Sequence, residues 1–142
     1  MPRFPLIAAV AALSVMPATT AMAHDGKKLH VHNNTSYDFT DGYVSSQHHV
    51  TITNLPESIP AGDSREIDVQ VEHSSWKADI HWIINSQVGT TVAIKYELDG
   101  NYETPTCHTD VPEGIHSDHY NCNSENVKFY FCDSSSKSEC DK

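Results

Sequence analysis

The fold is decided by residues 59–100, IPAGDSREIDVQVEHSSWKADIHWIINSQVGTTVAIKYELDG, which contain three stretches of alternating apolar and polar residues. A period of two over β-branched and aromatic residues is typical of strands with one buried face. Short segments rich in Pro, Gly, Ser, Asp and Asn separate the stretches and predict turns. The sequence therefore predicts three consecutive strands forming a central meander, at residues 65–73, 77–85 and 90–98.

The same reasoning extends to both sides of this stretch. Further strands are predicted at residues 29–32, 37–44, 48–55 and 127–132, the second of them with a bulge. Residues 101–126 hold prolines, a glycine and two cysteines but no sustained period, which predicts a long loop with room for one short edge strand. The sequence thus predicts an all-β fold, a small antiparallel β-sandwich of six to eight short strands.

The first residues have the pattern of a secretory signal peptide. Arg3 is followed by an apolar run over residues 6–15 and by small residues that end in Ala21-Met22-Ala23. We therefore expect a signal peptide at 1–23, a single sandwich domain at 24–133 and a Ser-rich tail at 134–142. The expected location is extracellular, or periplasmic in a Gram-negative organism. No second run approaches the length of a transmembrane segment.

The charge balance narrows the range of partners. The chain has 19 Asp and Glu against 9 Lys and Arg, and a formal net charge of −10. Nucleic-acid phosphates repel such a chain, so we expect no nucleic-acid partner. Anionic lipid headgroups offer no attraction either. A membrane contact would need aromatic side chains, lipid-specific contacts or a metal.

All four cysteines lie in the last third of the chain. An even number of cysteines behind a signal peptide predicts two disulfides among Cys107, Cys122, Cys132 and Cys140. Three pairings are possible, and Cys107–Cys122 with Cys132–Cys140 is the most local. The alternative is a zinc site built from Cys and His, but the spacing contains no C-x-x-C pair, which favours disulfides.

Ten histidines raise the possibility of a copper or zinc site. Cleavage after Ala23 would leave His24 with both its α-amine and its imidazole free to bind one metal. That chelate resembles half of the histidine brace of lytic polysaccharide monooxygenases and of small periplasmic copper proteins. Asp79 and His81, two apart on a strand, could supply further ligands from one face. The other sources are His30 with His32, and His48 with His49. The alternative is that His24 only marks the cleavage point.

A second group of histidines lies in the predicted loop, among acidic residues. His116 and His119 are spaced i, i+3, which would bring both rings together on one helical turn, and His108 lies nearby. Such a set can bind Zn²⁺ or Ca²⁺ weakly. A solvated polar loop is the more common outcome for a stretch of this composition.

Aromatic residues near predicted turns suggest a binding rim. Trp76 follows two serines at a strand junction, where an exposed indole would stack on a sugar or anchor in lipid headgroups. Trp82 shares the face of Ile80 and Ile84 and is expected in the core. The candidate ligand-binding residues are Trp76, Tyr43, Tyr102 and Tyr120, with Tyr37 as a neighbour. The alternative is that they are ordinary surface aromatics.

Residues 31–35 (VHNNT) and 58–64 (SIPAGDS), and the later Gly89-Thr90 and Tyr96-Glu97-Leu98-Asp99-Gly100, carry a family resemblance. Over about residues 29–100 the chain resembles aegerolysin-like proteins, which are haemolysin-type secreted β-sandwich proteins. The resemblance implies a compact acidic β-sandwich that binds membrane lipids, sometimes with a partner that forms the pore.

The sequence offers no support for catalysis, because it lacks a G-x-S-x-G elbow and a Gly-rich phosphate loop. We therefore expect a secreted, non-enzymatic recognition module that binds a lipid or glycan surface. The alternatives are a copper- or zinc-binding protein that uses His24, and a small secreted effector that binds a host protein.

Overall fold

A computed structural model of the chain describes residues 25–85, 87, 89–133 and 140. The predicted signal peptide, His24 and the predicted tail except Cys140 lie outside these residues. No helix in the described part of the chain is long and apolar enough to cross a membrane. The strands are β1 (Asp25–Asn34), β2 (Phe39–His48), β3 (Val50–Thr53), β4 (Ser64–Val71), β5 (Trp76–Ile84), β6 (Thr91–Leu98), β7 (Thr106–Asp110), β8 (His116–Tyr120) and β9 (Asn126–Cys132).

These strands form two sheets. The first has the order β3-β4-β1-β9-β8, and the second has the order β2-β5-β6-β7. Neighbouring strands are antiparallel except for β1 and β9, which are parallel. The predicted all-β sandwich is confirmed. The described residues contain nine strands rather than six to eight, because two of them fall in the predicted loop.

The two strands in the predicted loop, β7 and β8, are edge strands with polar sequences, where the sequence predicted at most one. Cys107 is the buried residue of β7, and β8 exposes or half-exposes all five of its residues. A strand that buries so little has no apolar period, so its sequence resembles that of a loop. Register with β6 and β9, rather than local pattern, defines these two strands.

The predicted central meander is divided between the two sheets. Strand β4 belongs to the first sheet, whereas β5 and β6 are neighbours in the second. The chain crosses from one sheet to the other after Val71, through residues 72–75. The prediction of three adjacent strands was therefore wrong, although all three strands exist. The apolar period reports which face is buried, and both sheets bury a face in the same core.

The core lies between the inner faces of the sheets. Phe39 of β2 meets Phe131 of β9 edge to face, with ring centroids 5.5 Å apart, and this contact joins the two sheets. Trp82 is fully buried, as predicted, and its Nε1 donates a hydrogen bond of 3.1 Å to the Pro56 carbonyl oxygen. Gly42 allows this contact. A Cβ atom at position 42 would lie 2.4 Å from that oxygen and 2.5 Å from Trp82 Nε1.

A buried asparagine ties the end of β1 to the loop before β4. The Asn33 side chain is fully buried, and its Nδ2 donates to the carbonyl oxygens of Tyr37 and Ile59, both at 2.8 Å. Its Oδ1 accepts from the backbone and hydroxyl of Thr35. The Asn33 carbonyl accepts from the Gly62 N–H at 2.7 Å. The stretches 31–35 and 58–64 are therefore one hydrogen-bonded unit.

Two disulfides fasten the C-terminal third. They join Cys107 to Cys122 and Cys132 to Cys140, which is the most local of the three pairings. The predicted presence of two disulfides is confirmed. Cys140 is fully buried, and its carbonyl oxygen accepts a hydrogen bond of 2.8 Å from Asn34 Nδ2. The second disulfide thus fixes residue 140 beside the end of β1.

Candidate functional site

Trp76 does not serve as an exposed stacking platform, contrary to the prediction. It is 4% exposed, and its ring lies against Tyr96 with centroids 4.7 Å apart. Trp76 is the first residue of β5, two positions before Ala78 and four before Ile80, both of which are buried. The period of β5 therefore turns the indole inward. The serines before it mark the turn but do not expose the ring.

The other three candidate aromatics are exposed, but they lie on two different faces. Tyr43, Tyr102 and Tyr120 are 43%, 66% and 39% exposed. Tyr43 is on the outer face of β2, and Tyr102 is in the turn between β6 and β7, so both belong to the second sheet. Tyr120 is on β8 in the first sheet. The predicted residues therefore do not form a single rim.

A connected group of polar side chains surrounds Tyr43. The Tyr43 ring stacks on His81, with centroids 5.3 Å apart and planes 21° apart. The Nε2 atom of His81 lies 3.0 Å from Asp79 Oδ1, and Lys95 Nζ lies 4.0 Å from Asp79 Oδ2. The prediction that Asp79 and His81 share a face is confirmed. Their closest contact is with each other, which orients the imidazole beneath the tyrosine ring.

The strand register places further polar side chains beside this group, across the second sheet as far as β7. Lys95 pairs with Asp79 on one side and with His108 on the other. Next to His108 is a groove of about 390 Å³. It is lined by Glu97, Asp99, Tyr102, Thr104, Thr106 and His108. We call the outer surface formed by Tyr43, Asp79, His81, Lys95, His108 and Tyr102 the tyrosine–histidine face.

His116 and His119 do not come together, contrary to the prediction of a shared helical turn. They lie on β8, where residues three apart point to opposite faces. The register pairs His116 with Cys132 and His119 with Phe129, and the His119 and Phe129 rings are 6.3 Å apart. Pairing with β9 makes this segment extended, so the i, i+3 spacing does not bring the two imidazole rings together.

His119 instead lies beside the first disulfide. A ring nitrogen of His119 and the sulfurs of Cys107 and Cys122 all lie within 4.8 Å of one another. Thiolates are the form of cysteine that binds zinc, and both sulfurs are already joined to each other. The oxidised protein therefore does not offer this group as a metal site.

The outer face of the first sheet carries a second aromatic group. The His32 and Tyr130 rings stack with centroids 4.5 Å apart, and Tyr120 meets Tyr130 edge to face. The Tyr120 hydroxyl donates a hydrogen bond of 2.8 Å to Asp118. Partial burial, together with the charges of His30 and Lys128, lowers the pKa of His32. Tyr120 is thus partly engaged by its neighbours within the protein.

Three further histidines meet where two links between the sheets run side by side. The rings of His48 and His49 have centroids 3.9 Å apart, and those of His49 and His73 are stacked at 4.4 Å. Sequence reasoning named the first two only as possible partners of His24 and did not name His73. His49 and His73 are 24 residues apart, so no local sequence pattern predicts their contact. The one available indication is that each of them lies next to the end of a predicted strand.

No family model matches the sequence, and no curated protein matches it significantly.

Proposed function

We propose that the protein is a non-enzymatic recognition module that binds a glycan through the tyrosine–histidine face. One observation carries this proposal. Tyr43 and Tyr102 are both exposed on the outer side of the same sheet, with charged and imidazole side chains on the strands between them. Aromatic rings offer flat apolar surfaces to the C–H faces of sugars, and carboxylate, ammonium and imidazole groups exchange hydrogen bonds with sugar hydroxyls.

The electrostatics of this surface favour a neutral or cationic glycan. Glu97 and Asp99 line the groove beside Tyr102, and Asp79 lies between His81 and Lys95. The whole chain carries a formal charge of −10, which repels sulfated or phosphorylated sugars. Neutral sugars escape this repulsion, and amino sugars gain from the carboxylates of the groove.

A glycan fits the surface better than a lipid bilayer does. Four of the five exposed large apolar residues of the described chain are tyrosines, and Tyr120 lies on a different sheet from Tyr43 and Tyr102. Membrane-binding surfaces present contiguous apolar patches or positive charge. Export of the chain, which the N-terminal residues predict, would bring the face into contact with extracellular glycans. The two disulfides are compatible with such an oxidising location.

The proposal is tested by screening the oxidised protein on an array of neutral, amino and acidic glycans. The best ligand is then titrated by calorimetry against Tyr43→Ala and Tyr102→Ala. Loss of a stacking ring is expected to weaken binding at least tenfold in each variant, which corresponds to about 1.4 kcal/mol. Tyr120→Ala is the matched control, since it removes a tyrosine of similar exposure from the other sheet, and it should bind within twofold of wild type.

Three outcomes would contradict the proposal. One is the absence of binding to any glycan, and another is equal weakening by Tyr120→Ala. The third is binding to neutral phosphatidylcholine–sphingomyelin vesicles without binding to glycans. That result would support the lipid-binding activity that the aegerolysin-like resemblance implies. All three substitutions change exposed side chains, so circular dichroism should report an unchanged fold.

A further inference from the structure

Three histidines from separate segments converge at one end of the sandwich. His48 is the last residue of β2, His49 forms the link to β3, and His73 lies in the turn between β4 and β5. The ring of His49 lies between the other two, 3.9 Å from His48 and 4.4 Å from His73 between centroids. All three residues are exposed. The cluster is therefore open to an ion from solvent.

The backbone holds the central histidine in an unfavourable conformation. His49 has a φ of 53°, in the left-handed region that residues with a Cβ rarely adopt. Its carbonyl oxygen accepts a hydrogen bond of 3.0 Å from the Glu72 N–H. The Glu72 carboxylate accepts another of 2.7 Å from the Thr51 hydroxyl. These bonds join the β2–β3 link and the start of β3 to the link between β4 and β5, and they keep His49 next to His73.

We propose that His48, His49 and His73 form a binding site for a divalent transition metal, zinc or copper. Neutral imidazole is a preferred ligand of both ions, with metal–nitrogen distances of about 2.0–2.1 Å. The nitrogens of the three rings do not all lie within 4.8 Å of one another as the side chains stand, so binding requires rotation about the side-chain torsions, which the exposed positions allow. Three histidine ligands would leave a further position for water or for a ligand.

The histidines have lone pairs available for this role. His73 Nδ1 accepts a long hydrogen bond of 3.3 Å from the Ser75 N–H. A metal at Nδ1 replaces that bond, and a metal at Nε2 moves the ring proton to Nδ1.

This site goes beyond the proposed recognition function, because it requires none of the residues of the tyrosine–histidine face. It also differs from the group of His119, Cys107 and Cys122, whose sulfurs are oxidised. Its three ligands need no change of redox state.

The test is a calorimetric titration of ZnCl₂ and of CuCl₂ into the oxidised protein at neutral pH. We expect one ion per chain, and at least tenfold weaker binding in both His49→Gln and His73→Gln. His116→Gln is the matched control, since it removes an exposed histidine from β8, and its affinity should equal that of wild type. Equal affinities in all three variants would overturn the proposal.

A second measurement uses the wild-type protein, so its result does not depend on whether a variant folds. Zinc should shift the imidazole NMR signals of His48, His49 and His73 in the wild-type protein, and copper should give an electron paramagnetic resonance spectrum with nitrogen couplings. Zinc binding without shifts at these three rings would place the ion elsewhere and overturn the proposal.

One further comparison distinguishes this site from the predicted N-terminal copper ligand, His24. A protein beginning at His24 is compared with a protein carrying one extra residue before His24. If the extra residue abolishes binding while His49→Gln and His73→Gln do not weaken it, the proposal is overturned. Weakening by both kinds of change supports the proposal and adds His24 to the ligands.

Discussion

The side-chain amide of Asn33 donates a hydrogen bond of 2.8 Å to the carbonyl oxygen of Ile59, 26 residues further along the chain. The same nitrogen also donates to the Tyr37 carbonyl oxygen. One buried side chain thus adds a donor to two carbonyl oxygens that also accept hydrogen bonds, from the Phe39 N–H and from the Thr35 hydroxyl. The proline-bounded loop before β4 is fixed to β1 by this amide rather than by apolar contacts alone.

We expect Asn33→Ala to lower the free energy of unfolding by about 2–4 kcal/mol. The change removes four hydrogen bonds of a fully buried side chain, two donated to carbonyl oxygens and two accepted from Thr35, and each is worth about 0.5–1.5 kcal/mol net. Urea unfolding followed by tryptophan fluorescence measures the loss. Asn123→Ala, at an exposed position, should change the stability by less than about 0.5 kcal/mol. Equal stabilities of the two variants would contradict this assignment.

Gly42→Ala should destabilise the protein by about 2 kcal/mol or more. The new methyl group would have to displace either the Pro56 carbonyl or the Trp82 ring, and overpacking of this kind typically costs about 1–3 kcal/mol. Gly100→Ala is the control, since its methyl group would meet Ser75 Cβ at an ordinary 3.7 Å. Thermal unfolding by circular dichroism compares the two, and a Gly42→Ala protein as stable as the control would refute the close approach.

Removal of the two disulfides should have graded effects. The cysteines are separated by 15 residues in Cys107–Cys122 and by 8 in Cys132–Cys140. On chain entropy, the double serine variants should lose about 3 and about 2.5 kcal/mol, respectively. Guanidinium unfolding measures both losses. Peptide mapping of the unreduced protein checks the pairing independently, and a peptide containing Cys107 joined to Cys132 would contradict it.

Stability should fall as the pH drops below about 6.5, in part because of His32. Burial, with the charges of His30 and Lys128, holds the pKa of His32 below its usual 6.5 in the folded protein. The unfolded chain therefore binds a proton here at higher pH than the folded chain does, and acid favours unfolding until the folded-state pKa is reached.

His32→Gln should therefore reduce, without abolishing, the slope of unfolding free energy against pH between pH 7 and pH 5. His49 contributes in the same direction because its pKa is also lowered. Urea unfolding at a series of pH values gives the slope. A slope unchanged by His32→Gln would show that His32 titrates alike in both states.

Much of the fold was readable from the sequence because apolar side chains repeat every second residue. Ile67, Ile80 and Ile94 each lie on the buried face of a predicted strand, and all three are fully buried. The two-residue apolar period does not show which strands are neighbours in a sheet. Pairing depends on contacts far apart in sequence, so the crossing between β4 and β5 was missed. The polar edge strand β8 was missed for lack of a buried face.

The candidate sites were less predictable, since they depend on where strand ends and links meet. Asp79 and His81 were correctly placed together because two residues on one strand need only the pleat to share a face. Trp76 was misplaced by its neighbouring serines, although its spacing from Ile80 already placed it inward. The contact between His49 and His73 arises because two links between the sheets run side by side at one end of the sandwich, which no local pattern encodes.

The parallel pairing of β1 with β9 constrains the order in which the molecule can form. The first strand to leave the ribosome has β4 on one side, but its other neighbour is made only when residues 126–132 are synthesised. Until then, one long edge of β1 lacks hydrogen-bond partners, and the first sheet is split in two. A nascent chain therefore cannot finish its fold early. For the export that residues 1–23 predict, such a delay would favour passage of the chain in an unfolded form.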